Sequence, residues 1–167
     1  CALPILGIYT LLVRDGAKDW RTGAAITAEH YFDESVDIHH IFPMKWCEDQ
    51  SIPLARYDTI VNKTALTART NRAIGGRAPS EYRGRLESSA GIGTDMLDLN
   101  VTSHRVPLDA LWVDDFDAFY MERSRQLLEL ISAATGAAST SGTSSTACGL
   151  PIETAPKRQV ASPNAKS

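Results

Sequence analysis

The chain has 167 residues, of which 43% are hydrophobic and 22% charged, with a formal net charge of −3. That length and composition suit one domain with a packed core. Taken whole, the mild acidity excludes a histone-like or polybasic binder, and no apolar run reaches the roughly eighteen residues of a membrane span.

The chain starts at Cys1, as expected of a C-terminal piece of a longer protein. Residues 2–13 are apolar and are closed by Arg14, Asp15 and Gly16, which predicts a core helix of about three turns. Residues 35–42, SVDIHHIF, are rich in β-branched and aromatic types and stop at Pro43, which predicts a short strand. A short helical turn and a loop are expected over 44–60, then a second strand over 63–68, KTALTA. Thr70 is placed to cap a helix beginning at Asn71, and Gly75 and Gly76 mark a turn. Residues 79–88 predict a helix with Pro79 near its start and Tyr82 and Leu86 on one face.

Toward the C-terminus, Asp114 or Asp115 is a fitting N-cap. Phe116, Phe119, Tyr120, Arg123, Leu127, Leu130 and Ile131 follow at helical spacing until Gly136, as a packing helix does. In residues 137–167, Ala, Ser, Thr, Gly and Pro supply 21 of 31 positions. So few large apolar side chains cannot offset the entropy of ordering, and the segment is expected to be a disordered tail. The expected fold is therefore α+β and mostly helical, with a folded domain over 1–136. Trp20, Trp46 and Trp112 are expected in the core, and His30 and His104 as ordinary surface or packing residues. Cys1, Cys47 and Cys148 form no CxxC pair, which predicts free thiols and a reducing, cytoplasmic setting.

The net charge hides an uneven distribution. Between Arg56 and Arg85 there are seven basic residues against Asp58 and Glu81, a local +5, while residues 107–135 carry −4. Inside the basic segment or just ahead of it lie an adjacent pair, His39 and His40, and two asparagines, Asn62 and Asn71. Hydrolysis of a phosphodiester needs a base that titrates near neutrality, and imidazole does. It also needs charge neutralisation at the leaving oxygen, which a divalent cation supplies, and an imidazole with an amide oxygen suffices to hold such a cation. Flanking Lys63, Arg69, Arg72 and Arg77 are the candidate contacts to neighbouring phosphates.

These residues resemble the HNH endonucleases, the ββα-metal or His-Me finger fold, over about 37–85, on the strength of HHIxP, NKTxL and an Asn nine residues on. The resemblance implies a ββα-metal core at about 35–78 flanked by helices. It makes His39 the first metal ligand, His40 the general base, Asn62 the structural Asn of the catalytic set that ties the loop between the strands, and Asn71 the second metal ligand. Asn at that last position, in place of His, offers a hard oxygen that suits Mg²⁺, or else Mn²⁺, better than Zn²⁺. Asp37 lies two residues before His39 and either orients it through a hydrogen bond or is a surface residue beside a loop. Adjacent strand residues point to opposite faces, so His39 and His40 share a site only where the strand ends or bends, as Pro43 allows.

A narrower likeness covers DIHHIFP, NKTALTARTNRAIGGRAPSEY and DDFDAFYMERSRQLLELI. These stretches resemble the C-terminal nuclease domain of GmrSD-like proteins, which are modification-dependent restriction or phage-defence systems. There an N-terminal ParB/sulfiredoxin-like NTPase domain precedes the nuclease, so the implied partners are DNA and such a domain. The expected activity is metal-dependent DNA cleavage. A non-catalytic DNA-binding module and an RNA-cleaving toxin domain are the alternatives.

Overall fold

Two antiparallel strands and the helix that follows them form the centre of the fold. The structure, a computed structural model, describes residues 3–27 and 36–136. The expected tail over 137–167 and His30 lie outside the described residues. Strand β1 (Val36–His40) pairs with β2 (Lys63–Thr67), His39 opposite Thr64 and His40 opposite Lys63. Helix α1 (Leu3–Arg14) precedes the sheet. Between the strands run α2 (Met44–Asp49), α3 (Leu54–Tyr57) and a 3₁₀ turn (Ile60–Asn62). After β2 come α4 (Ala68–Ile74), α5 (Pro79–Ala90), α6 (Thr94–Thr102), α7 (Leu108–Leu111) and the long α8 (Phe116–Thr135). The fold is thus mixed α+β and mostly helical, with a small two-stranded sheet. Among the described residues no helix is long and apolar enough to cross a membrane.

The local boundaries differ from expectation for definite reasons. Strand β1 stops at His40 because Ile41 and Phe42 leave the ladder and are fully buried in the core. Helix α4 starts three residues early because Thr67, not Thr70, is its cap: the Thr67 hydroxyl accepts the Thr70 backbone N–H at 3.3 Å. The segment 44–60 holds two short helices, each launched by a proline at its N-cap, Pro43 and Pro53. Asp115 caps α8 as expected, whereas the Asp114 carboxylate crosses to the start of α5 and accepts from Ser80 N and Oγ at 2.9 and 2.6 Å.

The main core joins Trp20, Ile41, Phe42, Leu66, Ile74, Tyr82, Leu86, Leu97, Leu111 and Phe119, with Trp46 and Trp112 half-buried against it. Three buried polar groups bind the sheet to its surroundings. Asp19 accepts from Thr67 N and Oγ1, Thr70 Oγ1, and Thr22 N and Oγ1, at 2.8–3.1 Å. Burial pushes its carboxyl pKa up, but those hydrogen bonds outweigh burial and leave it below its ordinary value. Arg123, fully buried on α8, donates to the carbonyls of Val61, Lys63 and His104. Burial pulls its pKa down to about 9, still high enough to keep the guanidinium charged at neutral pH.

His104 is fully buried, which settles it as a packing residue. Its Nε2 lies 2.7 Å from the Lys18 carbonyl and its Nδ1 2.6 Å from the Thr64 hydroxyl. A neutral ring donates from Nε2 and accepts at Nδ1, so both contacts are satisfied without charge. Burial lowers the His104 pKa from 6.5 to about 4. The unfolded chain therefore binds the extra proton first, and the stability this residue confers is complete above pH 6.5 and is lost as pH falls toward 4, about 3 kcal/mol in all. Urea unfolding at pH 7.5 and at pH 5 is expected to show a lower midpoint at pH 5, and the drop is expected to shrink in His104→Gln.

Candidate active site

The site is built where β1 ends. Pro43 follows the strand closely and starts α2, so the chain turns immediately past His40. The turn is held by Asn62, which is fully buried at the end of the 3₁₀ turn. Its Oδ1 accepts from Phe42 N at 2.8 Å. Its Nδ2 donates to the carbonyls of Phe42 and Tyr57 at 2.9 and 3.0 Å. Its own carbonyl accepts from Ile41 N at 2.8 Å. One side-chain amide thus ties the loop between the strands to the end of β1.

His39 and His40 both line one open cleft of ≈ 290 Å³, together with Ile38, Pro43, Met44, Lys45, Asn71, Gly75 and Gly76. Both residues are within the ladder, which ends at His40. Asn71 comes to the cleft on the first turn of α4. Gly75 closes that helix at φ 61°, ψ −150°, a conformation essentially confined to glycine. A Cβ on Gly76 would stand 3.4 Å from Lys45 Cβ, so this turn lets α4 and α2 approach closely across the cleft.

The histidines differ in their partners. The His39 side chain is 16% exposed, and its Nε2 is buried with no hydrogen-bond partner among the described residues. Asp37 Oδ2 stands 4.0 Å from it, beyond hydrogen-bond length, and Asp37 itself is exposed. Burial lowers the His39 pKa, opposed by Asp37 and reinforced by His40. His40 Nε2 lies 3.1 Å from Asp58 Oδ1. Burial lowers its pKa as well, against the Asp58 hydrogen bond that raises it, while Lys63 lowers it further. The Tyr57 ring stands edge-on to His40, with centroids 6.2 Å apart.

The basic residues do not act as one patch. Lys63, expected on phosphates, is drawn onto Asp58 Oδ1 at 2.6 Å. Arg77 faces Glu81 at 3.5 Å, Arg56 pairs with Asp117 and Arg83 with Asp98. Arg69 and Arg72 are exposed and form no ion pair among the described residues. The residue that sequence reasoning missed is Asp58. Its signal was an acid at the entrance to the second strand, one of two in a basic run.

Among the described residues no group of three or more His, Cys, Asp or Glu side chains converges as a metal site. The donors that line the cleft are an imidazole with a free, buried nitrogen and the Asn71 amide. Two such donors fit a cation that keeps most of its own water, as Mg²⁺ does. Cys47 offers no further ligand: it is buried, and burial pushes its thiol up to about 12.

Comparison with protein-family models, with curated proteins and with solved structures finds no match to this chain. Asn62→Ala would leave Phe42 N and Tyr57 O without the partner they now have and Phe42 O with only the weak Cys47 thiol donor, a loss expected at about 2–4 kcal/mol by urea unfolding. Asn62→Asp is expected to be no better, because a carboxylate would face the two carbonyls that the amide now serves.

Proposed function

We propose that the chain is a metal-dependent HNH-type endonuclease that hydrolyses DNA phosphodiester bonds at the cleft where β1 ends. The observation that carries this is that His39, whose buried Nε2 has no hydrogen-bond partner among the described residues, lines the same cleft as His40 and Asn71. A buried nitrogen without a partner is costly, and a ligand that it binds relieves the cost. His39 Nε2 and the Asn71 amide oxygen would hold one divalent cation, Mg²⁺ first and Mn²⁺ second. Such a cation, when bound, supplies neutralisation of negative charge at the scissile phosphate. His40 is neutral near pH 7, since burial holds its pKa below the ordinary value, and it is the group that takes a proton from water.

Asn62 fixes the backbone from which His40 projects, and Arg69 and Arg72 on α4, exposed and without an ion pair among the described residues, are the best-placed cations for the DNA backbone. Phosphate contacts of this kind position the duplex without reading bases. Placement in a cytoplasmic restriction or phage-defence system, beside an N-terminal ParB/sulfiredoxin-like domain, rests on the stretches DIHHIFP and NKTALTARTNRAIGGRAPSEY.

Supercoiled plasmid is expected to be nicked or cut with Mg²⁺ or Mn²⁺, to survive in EDTA, and to survive in His40→Ala with metal present. A wild-type chain inert with both metals, including when joined to such an N-terminal domain, would refute the reading; cutting of RNA and not of DNA would redirect it to an RNase. Arg69→Ala and Arg72→Ala are each expected to weaken duplex binding and to lower the slope of log affinity against log salt by about 1, measured without divalent metal.

A further inference from the structure

His40 is not alone at the end of its strand. Asp58 Oδ1 accepts two contacts at once, from His40 Nε2 at 3.1 Å and from Lys63 Nζ at 2.6 Å. Lys63 is also the cross-strand partner of His40, so the ladder itself sets the lysine beside the ring. Its side chain is only 22% exposed, which marks it as a counter-ion of this cluster more than a free surface charge. The Asp58 carboxyl lies below its ordinary pKa, held there first by the Lys63 hydrogen bond and then by that of His40.

The backbone adds a second constraint. Asn62 bonds the carbonyl of Tyr57, the neighbour of Asp58, and both backbone groups of Phe42, two residues past His40. The same amide therefore fixes the distance between the segment that carries the base and the segment that carries the carboxylate. The Tyr57 ring closes one side of His40.

We propose that Asp58 is a positioning residue for His40: it accepts the Nε2–H, which leaves the ring's lone pair on Nδ1, and Lys63 holds Asp58 in place instead of reaching DNA. This rests on the nuclease reading. In the reaction, a water O–H bond breaks as the proton passes to Nδ1. The water oxygen forms a bond to phosphorus, and the bond from phosphorus to the leaving sugar oxygen breaks with its electron pair. That oxygen takes a proton from solvent, and Nδ1 returns its own to solvent. A carboxylate facing Nε2 stabilises the ring while it carries both protons.

The test uses the full chain. Long-range ¹H–¹⁵N NMR of His40, without added metal and at a pH where the ring is neutral, is expected to show the Nε2–H tautomer, and the Nε2–H signal is expected to be lost in Asp58→Ala. Single-turnover cleavage of a labelled duplex with Mg²⁺ is expected to slow about 10- to 100-fold in Asp58→Ala. Duplex affinity without metal is expected to hold or tighten, because a negative charge near DNA is gone. Asp58→Asn, which keeps the shape and loses the charge, is expected to shift the rate in the same direction. An Nδ1–H tautomer in the wild type, or wild-type cleavage by Asp58→Ala, overturns the proposal while the nuclease reading stands. Parallel losses of rate, affinity and melting temperature in both variants also overturn it, in favour of a structural role. A wild-type chain that does not cleave brings down the nuclease reading and the catalytic role with it, and the NMR then reports the Asp58–His40 pair by itself.

Discussion

The side-chain amide of Asn62 is the constraint on which the centre of this protein depends. It serves one N–H and two carbonyls on two separate segments, in a spot from which water is excluded. Those backbone groups lie just past a strand end and on the last residue of a one-turn helix, where the ladder and the helix stop. Because the amide meets all three, the chain can turn sharply at His40 and still be rigid.

Charge in this chain is organised by pairing. The +5 of the segment from Arg56 to Arg85 is real in the sequence, and two of those charges, Arg56 and Arg83, are met by acids from outside the segment. Arg56 reaches across to Asp117 on the acidic helix and lies over the rings of Phe116 and Tyr120. Arg83 pairs with Asp98 and covers the Trp112 ring. These cations act as packing elements as much as charges. What remains free near the cleft is narrow: Arg69 and Arg72 on the helix that carries Asn71.

Much of this was legible in the sequence, and the reasons are physical. The long helix from Phe116 was legible because its cap, its apolar period and its terminal glycine all agree. The strands were legible from their β-branched runs, and the interest in His39, His40, Asn62 and Asn71 came from the resemblance carried by HHIxP and NKTxL. The ends of the elements were less so: Thr67 and Thr70 are both good caps, and the buried Asp19 that accepts from both hydroxyls is 48 residues away in sequence from Thr67. Helices α6 and α7 were not foreseen, because their segments have no strong apolar period. Asp58 was not legible as a partner of His40, since nothing local ties positions 18 residues apart until β1 and β2 pair. The same holds for Lys63, whose charge reads as a phosphate contact until its neighbour is known.

The buried guanidinium of Arg123 has a bearing on what can be cut out of this protein. It reaches from α8 to carbonyls on either side of Asn62 and to the carbonyl of His104. Two strands without further cover are barely stable in water. Here the helix that follows the strands supplies part of the cover, and α8 and the loop that holds Asp19 supply the rest. The strand-strand-helix segment is therefore not a portable cassette: grafted into another scaffold without α8, it would carry its histidines but not the frame that aims them.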